Sequence, residues 1–72
     1  MTTYGERAVG LSFNPSGDHD VERIKKLYAE IIDYCNGART GASDGERKRL
    51  FSVAITEAQS AQMWAVKAIT WR

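Results

Sequence analysis

The sequence is poor in the residues that staple or interrupt small folds. Among its 72 residues there is one cysteine, Cys35, one proline, Pro15, and one histidine, His19. One cysteine cannot form an intrachain disulfide, and a single Cys with a single His cannot build a metal cluster. A chain of this length buries only about 60% of the surface that its unfolded form exposes, so it needs a further source of stability. Oligomerisation is the source that remains.

Neither sign of charge is in clear excess. Ten Lys and Arg residues stand against nine Asp and Glu residues, which gives a net charge of +1. A nucleic-acid-binding domain of the usual kind carries a larger positive excess, so DNA is not an expected partner. No apolar run approaches the roughly 18 to 20 residues of a membrane span, and no signal peptide is recognisable. We therefore expect a soluble intracellular protein with no membrane partner, in which Cys35 is reduced.

Motifs of the common catalytic sites are also missing. The sequence contains no P-loop, no HExxH and no G-x-S-x-G. His19 lies between Asp18 and Asp20 near a predicted helix start, where a surface residue is a simpler interpretation than a general base. We expect a binding protein with no catalytic residue, no metal and no cofactor.

The chain divides into a short arm and two predicted helices. Residues 1–12 are weakly patterned and predict a flexible or extended N-terminal arm. The Asn14-Pro15 pair marks a turn, because proline fixes its own φ and restricts the residue before it. Cap residues and an apolar stripe then predict a first helix from Asp18 to Asn36, which Gly37 ends.

The second predicted helix completes an all-α fold. Residues 37–45 are polar and glycine-rich, as expected of a loop between antiparallel helices. The sequence Ser43-Asp44-Gly45-Glu46 fits an S-x-x-E capping box and predicts a helix that begins near Asp44 and continues toward the C-terminus. The expected architecture is an antiparallel helical hairpin that forms one domain over residues 13–72.

The second helix predicts self-association. Alanines recur along it at helical spacing, at Ala54, Ala58, Ala61, Ala65 and Ala68. A stripe of this kind lets helices approach closely, and the apolar arc around it is too wide for one partner helix to cover. Glu57 and Gln62 interrupt the arc, and Glu57 is predicted either to be paired across an interface or to belong to a site. The expected assembly is a homo-oligomer.

Features that suit a small charged ligand are concentrated between Phe13 and Lys26. Phe13 offers either a ring that stacks on a nucleobase or a hydrophobic staple on the first helix turn. The helical pattern places Lys25 at the edge of the apolar stripe, facing a cleft. It places Lys26 on the solvated face, with Glu30 as its i,i+4 partner.

Three segments of the sequence resemble a known family. They are F-N-P-S-G-D-x-D-V-x-x-I-K (Phe13–Lys25), I-I-D (Ile31–Asp33) and A-I-T-E-x-x-x-A-x-M-W-A-V-K-A-I-T (Ala54–Thr70). Together they resemble the phage anti-CBASS protein family of small helical-hairpin sponges. The likeness extends over about residues 11–72.

The resemblance implies a homohexamer that sequesters cyclic oligonucleotide messengers of bacterial CBASS immunity in the cytoplasm of the infected host, without cleaving them. Its implied ligands are cyclic dinucleotides such as 3′,3′-cyclic GMP-AMP, which family members bind between protomers. Carried onto this chain, the pocket residues are Phe13, Asn14, Pro15, Ser16, Gly17 and Lys25, with Tyr28 on the adjoining wall.

Some family members also bind cyclic trinucleotides at a separate site, for which Lys67 is the candidate cation here. Two alternatives stay open. One is a structural or adaptor hairpin that binds a partner protein. The other is a sponge for the signals of another defence system, such as cyclic ADP-ribose variants.

Overall fold

The computed structural model describes residues 1–72 and contains three α-helices. Helix α1 spans Tyr4–Val9, α2 spans His19–Gly41 and α3 spans Gly45–Ile69. Helices α2 and α3 pack along each other as a hairpin, and α1 packs mainly on α2. The all-α hairpin prediction is therefore confirmed, with one additional helix. None of the three helices combines the length and apolar character needed to cross a lipid bilayer.

Helix α1 lies where the sequence predicts a flexible or extended arm, so that prediction of conformation is wrong. The Thr3 side chain accepts a hydrogen bond from the Glu6 N–H, and the Glu6 carboxylate accepts one from the Thr3 N–H. This reciprocal capping box satisfies two amide groups at the helix start. Gly10 ends the helix in the left-handed conformation, with φ 63° and ψ 52°.

Helix α2 continues past its predicted end at Asn36 and stops at Gly41. Gly37 does not act as a stop signal, because its φ is not positive and it remains inside the helix. The Arg39 guanidinium donates to Asn36 Oδ1 at 2.6 Å and to Ser52 Oγ at 3.1 Å, which ties the last turns of α2 to α3. The connection is consequently only residues 42–44, not the predicted 37–45.

The predicted start of the second helix near Asp44 is confirmed, but its capping differs. Asp44 is the N-cap residue, and its carboxylate accepts the Glu46 N–H at 2.9 Å. The capping box predicted for Ser43 does not form. The Glu46 carboxylate is bound instead by Arg49 in the next turn, at 2.7 and 2.9 Å.

The core is narrow and lies between the helices. Ile32 is the one large side chain that is fully buried. The cluster around it consists of small and medium-sized apolar residues: Val9, Ala29, Cys35, Ile55 and Ala58. The chain measures 44 × 26 × 12 Å, so its smallest dimension is about one helix diameter. A single layer of helices of this thickness leaves both of its broad sides open.

The two polar residues predicted to interrupt the apolar arc of α3 have different environments. Gln62 is buried, whereas Glu57 is exposed and is not part of a buried pair within the chain. The alanine stripe is also divided. Ala58 packs inside the hairpin, whereas Ala54 and Ala68 lie on the surface. Only part of the stripe is therefore available to another molecule.

Replacing Gly37 by alanine should stabilise the protein by about 0.5–1 kcal/mol, because glycine inside a helix costs more backbone entropy than alanine. An added Cβ at this position meets no atom within 4 Å. Urea denaturation of the two proteins measures the difference. A loss of stability would contradict the prediction.

Candidate functional site

The turn between α1 and α2 is held by a reciprocal pair of hydrogen bonds. Asn14 Nδ2 donates to the Asp18 carbonyl oxygen at 2.9 Å, and Asn14 Oδ1 accepts the Asp18 N–H at 3.3 Å. The Gly17 N–H donates to the Asn14 carbonyl at 3.0 Å, and Gly17 has a φ of 65°, which glycine adopts without strain. The Asn14 side chain is thus committed to the turn. Pro15 and Ser16 are exposed at its apex.

Asp18 connects this turn to α2. Its Oδ1 accepts the N–H groups of Asp20 at 2.8 Å and Val21 at 3.2 Å, and so satisfies two of the free amides at the helix start. His19, the first residue of α2, is exposed. The turn and the start of α2 therefore form one continuously hydrogen-bonded unit.

Lys25 lies beneath the turn and not at an open cleft, so its predicted orientation is wrong for the isolated chain. Only 5% of the residue is exposed. Its Nζ donates to the Gly10 carbonyl at 3.0 Å and to the Phe13 carbonyl at 2.6 Å. Charge-assisted bonds of this kind are stronger than neutral ones. They draw the segment between α1 and the turn over the lysine.

Lys26, the other lysine of the pair, faces solvent as predicted. Its ion-pair partner differs from the prediction, because Nζ lies 3.2 Å from Glu22 and forms no ion pair with Glu30. A Glu that precedes a Lys by four residues is the more favourable order for such a pair. Lys26 therefore forms its ion pair within α2 and makes no hydrogen bond to the turn.

Phe13 presents its ring to solvent. The residue is 72% exposed, and the ring centroid lies 5.6 Å from Lys25 Nζ. The alternative of a hydrophobic staple on the first turn of α2 is wrong, because a staple residue is covered by the helix it packs against. An exposed aromatic ring and a nearly buried ammonium group are thus neighbours.

Tyr28 belongs to a different surface. It is half-buried against the core, and it lines an open apolar groove of about 630 Å³ along α2. We call this the α2 groove. Its other lining residues are Ile24, Leu27, Glu30, Ile31, Tyr34 and Cys35. The structure thus brings Phe13, Asn14 and Lys25 together and places Tyr28 on the adjoining side of α2.

Lys67, the candidate cation of a second site, lies near the end of α3. It is exposed, and its Nζ stands 5.5 Å from the centroid of the Trp64 ring. The hairpin places the end of α3 at the same end of the molecule as the start of α2. Lys67 and the turn therefore share one end of the fold.

The clear shifts of pKa lie outside the turn. Arg49 donates to the Glu46 carboxylate and holds the pKa of that carboxyl below its ordinary value, while the same bond raises the pKa of Arg49. Both groups lie at the exposed start of α3. No group of three His, Cys, Asp or Glu side chains is arranged to hold a metal ion.

The sequence patterns did not predict that the end of α1 binds Lys25 beneath the turn. The Gly10 carbonyl, which Lys25 binds, belongs to the residue that ends α1. The signal was present, since Thr3 and Glu6 have the T-x-x-E spacing of a capping box. The contact of α1 with α2 has no such local signature, because its partners are 28 residues apart.

The fold is thus a small helical hairpin in which an exposed aromatic ring and a lysine lie together at a hydrogen-bonded turn. The comparisons with known proteins make this more specific. The model of the Acb2/Tad1 hairpin domain matches residues 6–70 of the chain. The protein belongs to that family, the anti-CBASS sponges that bind cyclic oligonucleotides. No curated protein and no solved structure matches the chain.

Proposed function

We propose that this protein sequesters cyclic dinucleotides such as 3′,3′-cyclic GMP-AMP without cleaving them. By doing so in the cytoplasm of an infected bacterium, it lets a phage evade CBASS immunity. The observation that carries the proposal is the exposed Phe13 ring 5.6 Å from the Lys25 ammonium. Family membership supports the class of ligand.

The ring and the ammonium suit the two chemical parts of a nucleotide. Stacking of a base on an aromatic side chain contributes about 1–3 kcal/mol. The ammonium group has three N–H donors, and the carbonyls of Gly10 and Phe13 accept two of them. The third makes no hydrogen bond within the chain, and in the proposed pocket it donates to a phosphate oxygen of the nucleotide whose base stacks on Phe13.

The apex of the turn supplies polar contacts. Ser16 is exposed, and its hydroxyl makes no hydrogen bond within the chain. Pro15 and the left-handed Gly17 fix the backbone on either side of it. In the proposed pocket, Ser16 binds the ligand directly, whereas Asn14 acts through the shape of the turn that its side chain holds.

The proposed binding unit is a homohexamer, in which a neighbouring copy completes each pocket. The side chains along the α2 groove support self-association, because Leu27 is 43% exposed, Ile31 50% and Tyr34 74%. Contiguous apolar surface of this kind typically marks an interaction site. A copy seated on this groove brings Tyr28 to the wall of a pocket.

We propose Lys67 as the cation of a separate site that binds cyclic trinucleotides.

Stoichiometric binding with recovery of the ligand tests this function. We expect isothermal titration calorimetry with 3′,3′-cyclic GMP-AMP to show tight binding, and heat-released ligand to elute intact in chromatography. A linear product would contradict sequestration and favour an enzyme. A thermal-shift panel that includes cyclic trinucleotides and cyclic ADP-ribose variants separates this ligand class from the signals of other defence systems.

Replacing Phe13 by alanine should weaken cyclic dinucleotide binding by about 5- to 150-fold, the equivalent of one lost stacking contact. Phe13→Tyr keeps a flat ring and should bind nearly as well. Trp71 is exposed to the same degree as Phe13, at 71%, so Trp71→Ala controls for the loss of any exposed aromatic residue. Affinities of the four proteins, measured by calorimetry, show whether Phe13 contacts the ligand. Equal affinities for Phe13→Ala and wild type would contradict that contact.

The adaptor alternative predicts a different response. A hairpin that uses its exposed tryptophans, Trp64 and Trp71, to hold a partner protein would show no cyclic nucleotide affinity. Its assembly would also be indifferent to substitutions in the turn. The absence of any ligand response in the thermal-shift panel would therefore favour the adaptor.

A further inference from the structure

Helix α1 approaches α2 so closely that only glycine fits at the contact. A Cβ added to Gly5 would overlap the Ala29 carbonyl oxygen of α2 and would lie 2.9 Å from Asp33 Oδ1. Gly5 is buried, although it is the second residue of a helix at the edge of the molecule. Backbone atoms cannot yield as a flexible side chain can, so a larger residue must displace α1.

A hydrogen bond accompanies this contact. The Gly5 N–H donates to Asp33 Oδ1 at 2.7 Å. Amides in the first turn of a helix have no acceptor within that helix, and a carboxylate near a helix N-terminus is also favoured by the helix dipole. Asp33 of α2 therefore supplies the acceptor that α1 lacks.

Helix α1 depends on this docking. It has six residues, far fewer than the roughly 12–15 that an isolated helix needs to persist in water. Its capping box helps its first turn, but only packing against the longer helices, mainly α2, can hold the whole segment. An undocked α1 is thus expected to lose its helical structure.

The C-terminal end of α1 is joined to the turn between α1 and α2, which carries Phe13. Gly10, which ends the helix, accepts hydrogen bonds through its carbonyl from the Phe13 N–H at 2.9 Å and from Lys25 Nζ at 3.0 Å. The location of Phe13 therefore follows from where α1 ends. Displacement of α1 at Gly5 would move the Gly10 carbonyl away from Lys25 Nζ, and the short turn that binds the Phe13 N–H would then lose its anchor on α2.

We propose that Gly5 and Asp33 are positioning residues for ligand binding: they dock α1 and thereby hold Phe13 and Lys25 in the binding geometry. The proposal rests on the function proposed above and adds two residues that do not touch the ligand. Undocking lowers the fraction of molecules in the competent conformation, and the apparent dissociation constant rises by the inverse of that fraction.

Gly5→Ala tests the proposal, with Gly37→Ala as the matched control, since an added Cβ at Gly37 meets nothing within 4 Å. In Gly5→Ala we expect the apparent Kd for 3′,3′-cyclic GMP-AMP to rise by at least about tenfold. This rise corresponds to a binding-competent fraction of about one molecule in ten. Hydrogen exchange should show lost protection of the Phe13 amide, with protection retained in α2 and α3. Gly37→Ala should bind as wild type does.

Substitution of Asp33 separates positioning from general stability. Asp33→Asn keeps an acceptor oxygen and should retain most of the affinity, whereas Asp33→Ala removes the acceptor and should behave like Gly5→Ala. A merely structural role would change the melting temperature of Asp33→Ala but would leave the affinity of its folded molecules and the Phe13 amide unchanged. If Gly5→Ala does not fold, Asp33→Ala decides by the same two measurements.

Two results would overturn the proposal: wild-type affinity in folded Gly5→Ala, or retained protection of the Phe13 amide in both Gly5→Ala and Asp33→Ala. Failure of the proposed function would give a different result, because the wild-type protein itself would then bind no cyclic dinucleotide. Exchange at Phe13 still tests the docking of α1 in that case, since it needs no ligand.

Discussion

Replacing Lys25 by methionine is expected to weaken cyclic dinucleotide binding by about 10- to 150-fold, because a hydrogen bond to a charged group is worth about 1.5–3 kcal/mol. Methionine fills a similar volume but leaves the Gly10 and Phe13 carbonyls without their donor. It also removes the charge that we assign to the ligand phosphate. Isothermal titration calorimetry measures the loss of affinity.

Lys26→Met is the matched control for this substitution. Its side chain is 60% exposed and interacts with Glu22 within α2, so its removal should change affinity little and stability by only about 0.3–0.5 kcal/mol. The two adjacent lysines therefore distinguish a ligand contact from a general effect of positive charge. Equal losses of affinity in both variants would contradict the assignment to Lys25.

Replacing Ile32 by alanine is expected to lower the free energy of unfolding by about 2–5 kcal/mol, through lost apolar burial and the cavity left behind. Ile32 has no exposed surface and lies at the centre of the small core. In a protein of this size, such a loss is a large fraction of the total stability. Urea denaturation followed by circular dichroism measures it.

Ile31→Ala is the control, since this neighbour has the same side chain but is 50% exposed in the α2 groove. Its unfolding free energy should change by less than about 1 kcal/mol at concentrations where the protein is monomeric. Its assembly, measured by light scattering across a concentration series, should be weaker than that of wild type. An equally large loss of monomer stability in both variants would contradict the core described here.

Local patterns in the sequence were sufficient for the main helices. The stripe that contains Val21 and Ile32 predicts α2, and the S-x-x-E pattern from Ser43 predicts a start of α3 near Asp44, although Asp44 is the residue that caps it. Both signals depend on residues within a few turns of one another. The end of α2 was not predictable in this way. Arg39 binds Ser52 across the hairpin, and this tertiary bond helps to hold the last turns beyond Gly37.

The composition of the candidate site was accessible from sequence, but its internal arrangement was not. The segment from Phe13 to Gly17 is recognisable as a turn, because proline and glycine impose particular backbone angles. The partners of Lys25 could not be read from a helical pattern. The carbonyls it binds lie 12 and 15 residues earlier in the chain, and only the docking of α1 brings them over α2.

The sequence by itself determined the helix class, the turn and the lack of an internal staple, because these follow from composition and short-range spacing. Only the tertiary structure decided that the N-terminal segment is a helix and that Lys25 lies beneath the turn. It also decided that Gly5 and Asp33 join α1 to α2. The physical reason is that a close backbone approach and a buried ammonium both need partners far away in the chain, and short-range patterns carry no information about such partners.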